Sequence, residues 1–244
     1  ANGQIVAWLN SDDLYYPDTI ANAVRLFAQQ PQAVLVYGDA VLVDAAGQFV
    51  RYFTEVEPFN VFRLRNCADF IMQPAAFIRR QALQRVGLLD PDLHWCLDWD
   101  LWCRLAELGR VHYEPVLAAA NRHHGQTKTQ IGGRQRLEEI RQVWRRHGSS
   151  LWPHALFSYR AKELRLRRAA TRSRWRRPVL SVAALACEVG GIANFFHARR
   201  HRRAIGGLTH GSHACGQSVS ICFPLFRPAR SVELSLRSAQ PWKL

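Results

Sequence analysis

Acidic residues are scarce in the last 94 residues of this 244-residue chain. Residues 151–244 contain 17 Lys and Arg but 3 Asp and Glu, whereas residues 1–150 contain 16 of each class. The whole net charge of +14 therefore lies behind residue 150. The balanced charge of the front portion is typical of an ordinary globular domain and disfavours a nucleic-acid-binding domain there.

Cysteine motifs and a secretory leader are also lacking. The six cysteines form no CxxC pair and no Cys/His cluster with zinc-finger spacing, which argues against the common structural zinc sites. Cys96 and Cys103 lie near one face of a predicted helix, a position typical of core packing. No secretory signal precedes the first strand-like run. We interpret the chain as cytoplasmic and reduced.

The tail lacks an uninterrupted hydrophobic run. Its apolar stretch Pro178–Phe196 contains Glu188 and the pair Gly190-Gly191, and basic segments flank it at Arg160–Arg177 and Arg199–Arg203. A membrane-spanning helix needs ~20 predominantly apolar residues, so a helix lying on an anionic membrane surface fits better. An ordinary buried helix, a poorly ordered tail and a nucleic-acid-binding tail are the alternatives.

Strand-like and helical patterns alternate in the front portion. The sequence predicts strands at Ile5–Leu9 and Ala33–Tyr37, a hairpin whose turn is Ala45-Ala46-Gly47, and helices at Asp98–Leu108 and Arg134–Arg146. This order indicates an α/β fold with a mixed sheet flanked by helices. We expect a globular portion over residues 1–150, a basic helical segment over 151–205 and an irregular tail over 206–244.

The first group of chemically active side chains is Asn10-Ser11-Asp12-Asp13, which follows the first predicted strand. Ligands of open α/β sheets bind at the carboxyl ends of strands. Two adjacent carboxylates repel each other there unless a cation or hydrogen-bond donors neutralise them. Mg²⁺ takes one or two carboxylates together with substrate phosphates. An equally good explanation from this segment alone is a helix N-cap before Pro17.

The second group is Leu97-Asp98-Trp99-Asp100-Leu101-Trp102. Acids in the first turn of a helix interact favourably with its dipole, so a cap is one interpretation. The other is a carboxylate that acts as a general base beside aromatic side chains that form a sugar pocket. Large aromatics at this density are more often core, and we assign Trp102 to the core.

Two further segments carry polar side chains. The loop Asn121–Thr129 contains Arg122, His123, His124 and Lys128, which could bring an imidazole to a metal and cations to a diphosphate. A solvated connection is the alternative. Gln73 precedes Pro74, which holds it extended and could direct its amide into a cleft, although a plain strand entry is equally compatible.

Taken together and in this order, these segments resemble the family 2 glycosyltransferases of the GT-A fold. The run Gly3–Asp13 resembles the strand that ends in that family's metal-binding acids, and Leu97–Trp102 resembles its Glu-Asp-x-Asp-Leu-Trp segment. Arg122–Lys128 resembles an Arg-x-His-x-x-Ser/Thr-Lys pattern. The resemblance covers residues 1–147, and Leu97 replaces the usual Glu.

The resemblance implies a role for each matching residue. Asp98 is the expected catalytic base, and the expected ligands of a divalent Mg or Mn ion are Asp13 and His124. His123 replaces His124 if the register slips by one. The expected contacts to the donor diphosphate are Asp12, Arg122 and Lys128. The expected contacts to the acceptor are Gln73, Trp99 and Asp100.

The resemblance also implies an activity and its partners. Such enzymes transfer a sugar with inversion from a nucleoside-diphosphate sugar to a glycan or lipid-linked acceptor in cell-envelope polysaccharide synthesis. They begin with roughly another hundred residues that hold the nucleotide, so the sequence predicts a partial GT-A domain of a truncated chain. We expect it in the cytoplasm or peripheral on the inner face of the membrane, bound through residues 160–203. A catalytically inactive remnant or a basic binding module is the alternative, and nucleic acid is a disfavoured partner.

Overall fold

The computed structural model of the protein describes residues 2–123, 133–148, 150–190, 219–222 and 231–234. The strands are β1 (Ile5–Trp8), β2 (Leu14–Tyr15), β3 (Ala33–Val43), β4 (Phe49–Tyr52), β5 (Ala76–Arg79), β6 (Arg110–Arg122), β7 (Val219–Cys222) and β8 (Ser231–Leu234). The helices are α1 (Thr19–Gln29), α2 (Val61–Asn66), α3 (Arg80–Val86), α4 (Leu97–Leu108), α5 (Gly133–His147), α6 (His154–Ala170) and α7 (Arg176–Gly190).

The strands form one mixed sheet, which confirms the predicted α/β class. Its order is β2-β6-β3-β5-β1-β7-β8, and β4 pairs with β3. β3 and β6 pair in parallel, and β5 pairs antiparallel with both β3 and β1. β1, β3 and β6 consequently run in one direction. Their carboxyl ends meet at the same edge of the sheet, where ligands of α/β proteins bind.

The long central strand differs from the sequence prediction. The sequence predicted a strand that ends at Tyr37, but β3 is continuous from Ala33 to Val43 and buried throughout. Its pairing with β6 shifts register around Asp39. A Cβ on Gly38 would lie 2.6 Å from the Val116 carbonyl oxygen, so glycine is required for the close approach of β6. Gly38 therefore allows the strand to continue past its predicted end.

α4 packs its apolar side against the sheet. Trp102 is fully buried and stacks on Trp8 of β1, with 5.6 Å between ring centroids. The assignment of Trp102 to the core is therefore confirmed. Cys96 and Cys103 are buried free thiols, as the core interpretation predicted. The Trp8–Trp102 contact joins the strand that precedes Asp12-Asp13 to the helix that carries Asp98.

The basic segment forms two packed helices, α6 and α7, which follow the globular portion. Tyr159 of α6 lies 5.8 Å from Trp99 of α4, measured between ring centroids, and the Arg136 guanidinium lies 4.9 Å above the Tyr159 ring. α6 is thus anchored beside the start of α4. Among the described helices, none is long and apolar enough to cross a membrane.

Two short strands lie in the segment that the sequence predicted to be irregular. β7 pairs in parallel with β1, and β8 pairs antiparallel with β7. The pairing extends the sheet beyond β1, which makes β1 an interior strand. A four-residue strand without a longer alternating pattern gives a weak sequence signal, so this extension was missed.

Candidate functional site

Asp13 lies at the centre of a polar cluster at the carboxyl ends of β1 and β6. Its side chain is buried. One carboxylate oxygen accepts hydrogen bonds from the Asn121 side-chain amide at 3.0 Å and the Arg122 backbone N–H at 2.9 Å, and the other accepts from the Asn10 amide at 2.9 Å. Burial raises the pKa of Asp13, while these three hydrogen-bond donors oppose the increase.

Gln73 belongs to the same cluster. Its carbonyl oxygen accepts a hydrogen bond from the Asn10 amide at 3.0 Å, and its own amide donates to the Trp8 carbonyl oxygen. Gln73 begins a 3-10 turn with Pro74 in its first turn. The chain Trp8–Gln73–Asn10–Asp13 therefore ties the end of β1 to this turn. Sequence reasoning selected Gln73 but assigned no role to Asn10 or Asn121, because a lone amide has no distinctive pattern.

Arg122 joins three segments at the edge of the sheet. Its Nε donates to the Asp12 carbonyl oxygen at 2.9 Å, and its Nη1 donates to the carbonyl oxygens of Asp44 and Ala45 at 3.0 and 2.8 Å. The guanidinium thus fixes the β3–β4 turn against the acidic pair. This geometry supports a positioning role for Arg122, in addition to the diphosphate contact that the resemblance implied.

Asp12 and Asp13 have the donor chemistry that a divalent ion prefers. Mg²⁺ is usually held by one or two carboxylates, substrate phosphates and waters. Asp12 is half-buried beside Asp13, and its negative charge raises the pKa of the Asp13 carboxyl further. A cation beside the pair would offset this repulsion, so the residues fit the ion. In the described ranges, no cluster of three or more His, Cys, Asp or Glu side chains suited to a metal is present.

Two of the predicted site residues cannot be placed. His124 and Lys128 lie outside the described residues, which resume at residue 133. His123 is described, and its backbone N–H donates to the Val43 carbonyl oxygen at 2.7 Å.

Asp98 occupies the first turn of α4 and is half-buried. Its Oδ1 accepts a hydrogen bond from the Trp99 backbone N–H at 2.9 Å. Burial raises the pKa of Asp98, and it does so more strongly than this hydrogen bond lowers it. A carboxylate with a raised pKa is a stronger base, which is the property that proton abstraction from a hydroxyl requires.

A second carboxylate, Asp69, lies in the electrostatic environment of Asp98. Burial and then the negative charge of Asp98 raise the pKa of Asp69 well above its ordinary value, and the Arg136 charge lowers it. The Ile71 N–H donates to Asp69 Oδ1 at 3.3 Å. This proximity could not be predicted from local patterns, because Asp69 precedes α4 by nearly thirty residues.

Asp100 and Trp99 have different surroundings from Asp98. The carboxylate of Asp100 accepts from Arg104 Nε at 2.8 Å and lies 2.8 Å from His147 Nε2. Trp99 is buried, and its indole N–H donates to the Leu64 carbonyl oxygen at 2.7 Å. The side-chain groups expected to contact an acceptor are therefore engaged inside the protein. Both residues hold α4 in place in this structure.

Glu139 of α5 orders the loop that leads into α4. Its two carboxylate oxygens accept hydrogen bonds from the backbone N–H groups of His94, Trp95 and Cys96 at 2.8, 2.7 and 3.0 Å. These N–H groups precede a helix and have no helical partners of their own. A buried Glu on the charged helix was not identifiable from the sequence, because its three partners lie more than forty positions away.

The chain is similar in sequence to curated glycosyltransferases. It is 27% identical over 150 residues to an uncharacterized glycosyltransferase of Rickettsia typhi, which covers 58% of this chain and 46% of the relative. It is 23% identical over 130 residues to another of Rickettsia felis, covering 51% of this chain and 22% of the relative. The chain thus spans less than half the length of these curated relatives. No family model matches the sequence.

Solved glycosyltransferase structures show a partial similarity. The mannosyltransferase PcManGT from Pyrobaculum calidifontis, in complex with GDP-Man and Mn²⁺, matches with a TM-score of 0.45 at 18% identity, over 80% of this chain and 64% of that one. S. aureus TarS 1–349 matches with a TM-score of 0.42 at 12% identity, over 83% and 52%.

Proposed function

We propose that residues 1–147 form the acceptor-side portion of an inverting, family 2 GT-A glycosyltransferase that uses a nucleoside-diphosphate sugar. One observation carries the proposal. Asp12-Asp13, Gln73 and Arg122, selected from three separate segments of the sequence, meet in one hydrogen-bonded cluster at the sheet edge. The glycosyltransferase relatives supply independent support for the reaction class.

Asp98 is the proposed catalytic base. Its carboxylate takes the proton of an acceptor hydroxyl while the hydroxyl oxygen forms a bond to the anomeric carbon. The bond from that carbon to the diphosphate oxygen breaks with its electron pair remaining on the diphosphate. A single in-line displacement of this kind inverts the configuration. The raised pKa of Asp98 supports the role because it strengthens the base.

Asp13 would hold a Mg or Mn ion, which supplies positive charge to the departing diphosphate, and Asp12 beside it is a proposed contact to the donor. The buried cluster around Asp13 fixes the orientation of its carboxylate before the donor arrives, and preorganised groups lower the barrier because they need no rearrangement. His124 and Lys128 remain proposed contacts to the ion and the diphosphate.

The proposed partners follow from this chemistry. They are a nucleotide-sugar donor, a glycan or lipid-linked acceptor of cell-envelope synthesis, and an anionic membrane surface contacted through residues 160–203 on the cytoplasmic side. The competing proposal is a catalytically inactive remnant.

The test uses the longest product of the reading frame that contains these residues. We expect Mn²⁺-dependent release of nucleoside diphosphate from a panel of UDP- and GDP-sugars, lost in Asp98→Asn. Asp92→Asn is the matched control, because Asp92 is an exposed acid in the preceding loop. Full turnover in Asp98→Asn would remove Asp98 as the base. No turnover of any donor in the unmodified protein would support the inactive remnant.

A further inference from the structure

The outward side of α7 carries a row of exposed apolar side chains. Val179, Val182, Leu185 and Val189 are 59–68% exposed. They are spaced three or four residues apart, so they lie on one face of the helix. A surface helix of a globular protein normally turns such a row toward the core. On α7 the row faces away from the protein.

The opposite side of α7 is already packed. Ala184 is buried, and Glu188 forms an ion pair with Arg165 of α6. The Arg177 Nε donates to the Thr171 carbonyl oxygen at 3.2 Å, which fastens the start of α7 to the end of α6. These contacts fix the rotation of α7 about its axis. The apolar row is therefore held outward by packing.

Cations and an exposed tryptophan adjoin the row. Residues 160–190 contain nine Lys and Arg and two Glu, a net charge of +7. Trp175 is 88% exposed in the turn before α7. Beside it lies a groove of about 450 Å³, lined by Arg167, Thr171, Trp175, Arg176, Val179 and Leu180. The groove offers guanidinium groups next to apolar surface, which matches a phosphate group joined to an acyl chain.

We propose that α7 docks lengthwise on the surface of an anionic lipid bilayer, with the Val179–Val189 row in the headgroup boundary and the surrounding arginines on lipid phosphates. Charge complementarity selects this occupant. An anionic leaflet attracts clustered Lys and Arg, and tryptophan favours the interface between headgroups and acyl chains. The row supplies apolar burial without requiring a span.

The docking surface is connected to the proposed active site. Tyr159 of α6 packs near Trp99 in the first turn of α4, beside Asp98, and Arg136 lies over the same tyrosine. A bilayer bound by α7 is therefore linked to the acceptor end of the site through α6. This step rests on the proposed function and deepens it, because it selects a lipid-linked acceptor presented at the membrane surface.

The experiment is co-sedimentation of the 244-residue chain with vesicles at about 0.1 M salt, comparing pure phosphatidylcholine with ~30% phosphatidylglycerol. We expect binding to the anionic vesicles that falls steeply when the salt is raised to ~0.5 M, because screening weakens the arginine contacts. The test variant is Val182→Glu with Leu185→Glu, for which we expect at least about tenfold weaker binding.

The matched control is Val50→Glu with Leu88→Glu. Both side chains are exposed and apolar, at 54% and 73%, and the control adds the same two charges far from α7 in the sequence. Circular dichroism of each variant verifies that the fold is retained. Equal loss of binding in test and control variants would show that net charge alone drives association, and would overturn docking through the α7 face.

Two other outcomes would also overturn the proposal. One is salt-sensitive binding to duplex DNA with no binding to anionic vesicles. The other is a concentration-dependent dimer, seen by light scattering, that the α7 variant abolishes while vesicle binding is absent. Nucleoside diphosphate release measured without vesicles tests the catalytic proposal separately, so failure of either proposal can be recognised without the other.

Discussion

Asp98 and Asp100 stand two positions apart on α4, yet we expect different effects on stability when each is neutralised. Asp100 is 3% exposed at its side chain and contacts Arg104 Nε at 2.8 Å and His147 Nε2 at 2.8 Å. Burial alone would raise the pKa of Asp100, but hydrogen bonds from His147 and Arg104 outweigh it and lower the pKa from 3.8 to about 2. The folded state thus favours the Asp100 carboxylate.

The size of the effect follows from the linkage between pKa and stability. A pKa lowered on folding contributes stability at neutral pH, about 1.4 kcal/mol for each unit, so Asp100 contributes roughly 2–3 kcal/mol. This contribution is complete above the unfolded pKa of 3.8 and is lost as the pH falls toward 2. Breaking a buried ion pair by removing one partner costs about 3–5 kcal/mol, which agrees in magnitude.

Asp100→Asn should therefore lower the free energy of unfolding by roughly 2–4 kcal/mol at pH 7, with the difference from the unmodified chain reduced to about half near pH 3. Urea denaturation at both pH values measures it. Asp98→Asn is the comparison. Because burial raises the pKa of Asp98, its charge opposes folding at neutral pH, and we expect no loss of stability.

Activity separates the two residues in the opposite sense. At temperatures where both variants are folded, Asp98→Asn should abolish sugar transfer, whereas Asp100→Asn should retain it with an unchanged acceptor KM. An unchanged unfolding free energy in Asp100→Asn at pH 7 would refute the ion-pair argument. A large increase in acceptor KM in that variant would instead restore the acceptor contact that the sequence suggested for Asp100.

Four further predictions follow from the same contacts. Leu101→Ala, at a fully buried position of α4, should cost about 2–5 kcal/mol in urea unfolding, and a loss below ~1 kcal/mol would contradict its packing. Glu139→Gln removes the charge that holds three backbone N–H groups, so it should lower the melting temperature and the transfer activity together. An unchanged melting temperature would contradict the role of Glu139 in ordering the loop before α4. Asn121→Ala should raise the Mn²⁺ concentration needed for half-maximal activity, since it removes a donor that orients Asp13. Because Asp98 must be deprotonated to act, kcat/KM should fall as the pH decreases through its raised pKa, and a profile flat down to pH 4 would argue against this base.

The front portion of the sequence contained enough local information to predict its fold class. Apolar periodicity identified β1 and α4, and the turn at Ala45-Ala46-Gly47 fits its hairpin because Gly47 has a φ of 83°. Local patterns work here because each depends on neighbouring residues alone. The same reasoning ended the second strand at Tyr37, whereas β3 continues through Gly38, which lies close to Val116 of β6.

The candidate site also combines features that local patterns predicted with features that depend on tertiary contacts. The sequence selected Asp12, Asp13, Gln73, Asp98 and Arg122, because acids and amides at the ends of strands and helices follow recognisable local patterns. The spatial arrangement of these residues could not be predicted from the sequence. The roles of Asn10 and Asn121 depend on hydrogen bonds to Asp13, one of which joins residues 108 positions apart.

The chemical groups that a segment carries are thus set by the order of residues along the chain, whereas the environment of each side chain is set by packing. The sequence by itself determined that residues 97–102 alternate acids with aromatics and that the tail is basic. The tertiary structure decided that Asp100 pairs with His147, that half-buried Asp98 lies near Asp69, and that the apolar row of α7 faces outward. Burial and charge pairing depend on distant residues, and these two quantities control both the pKa of a carboxylate and the exposure of a helix face.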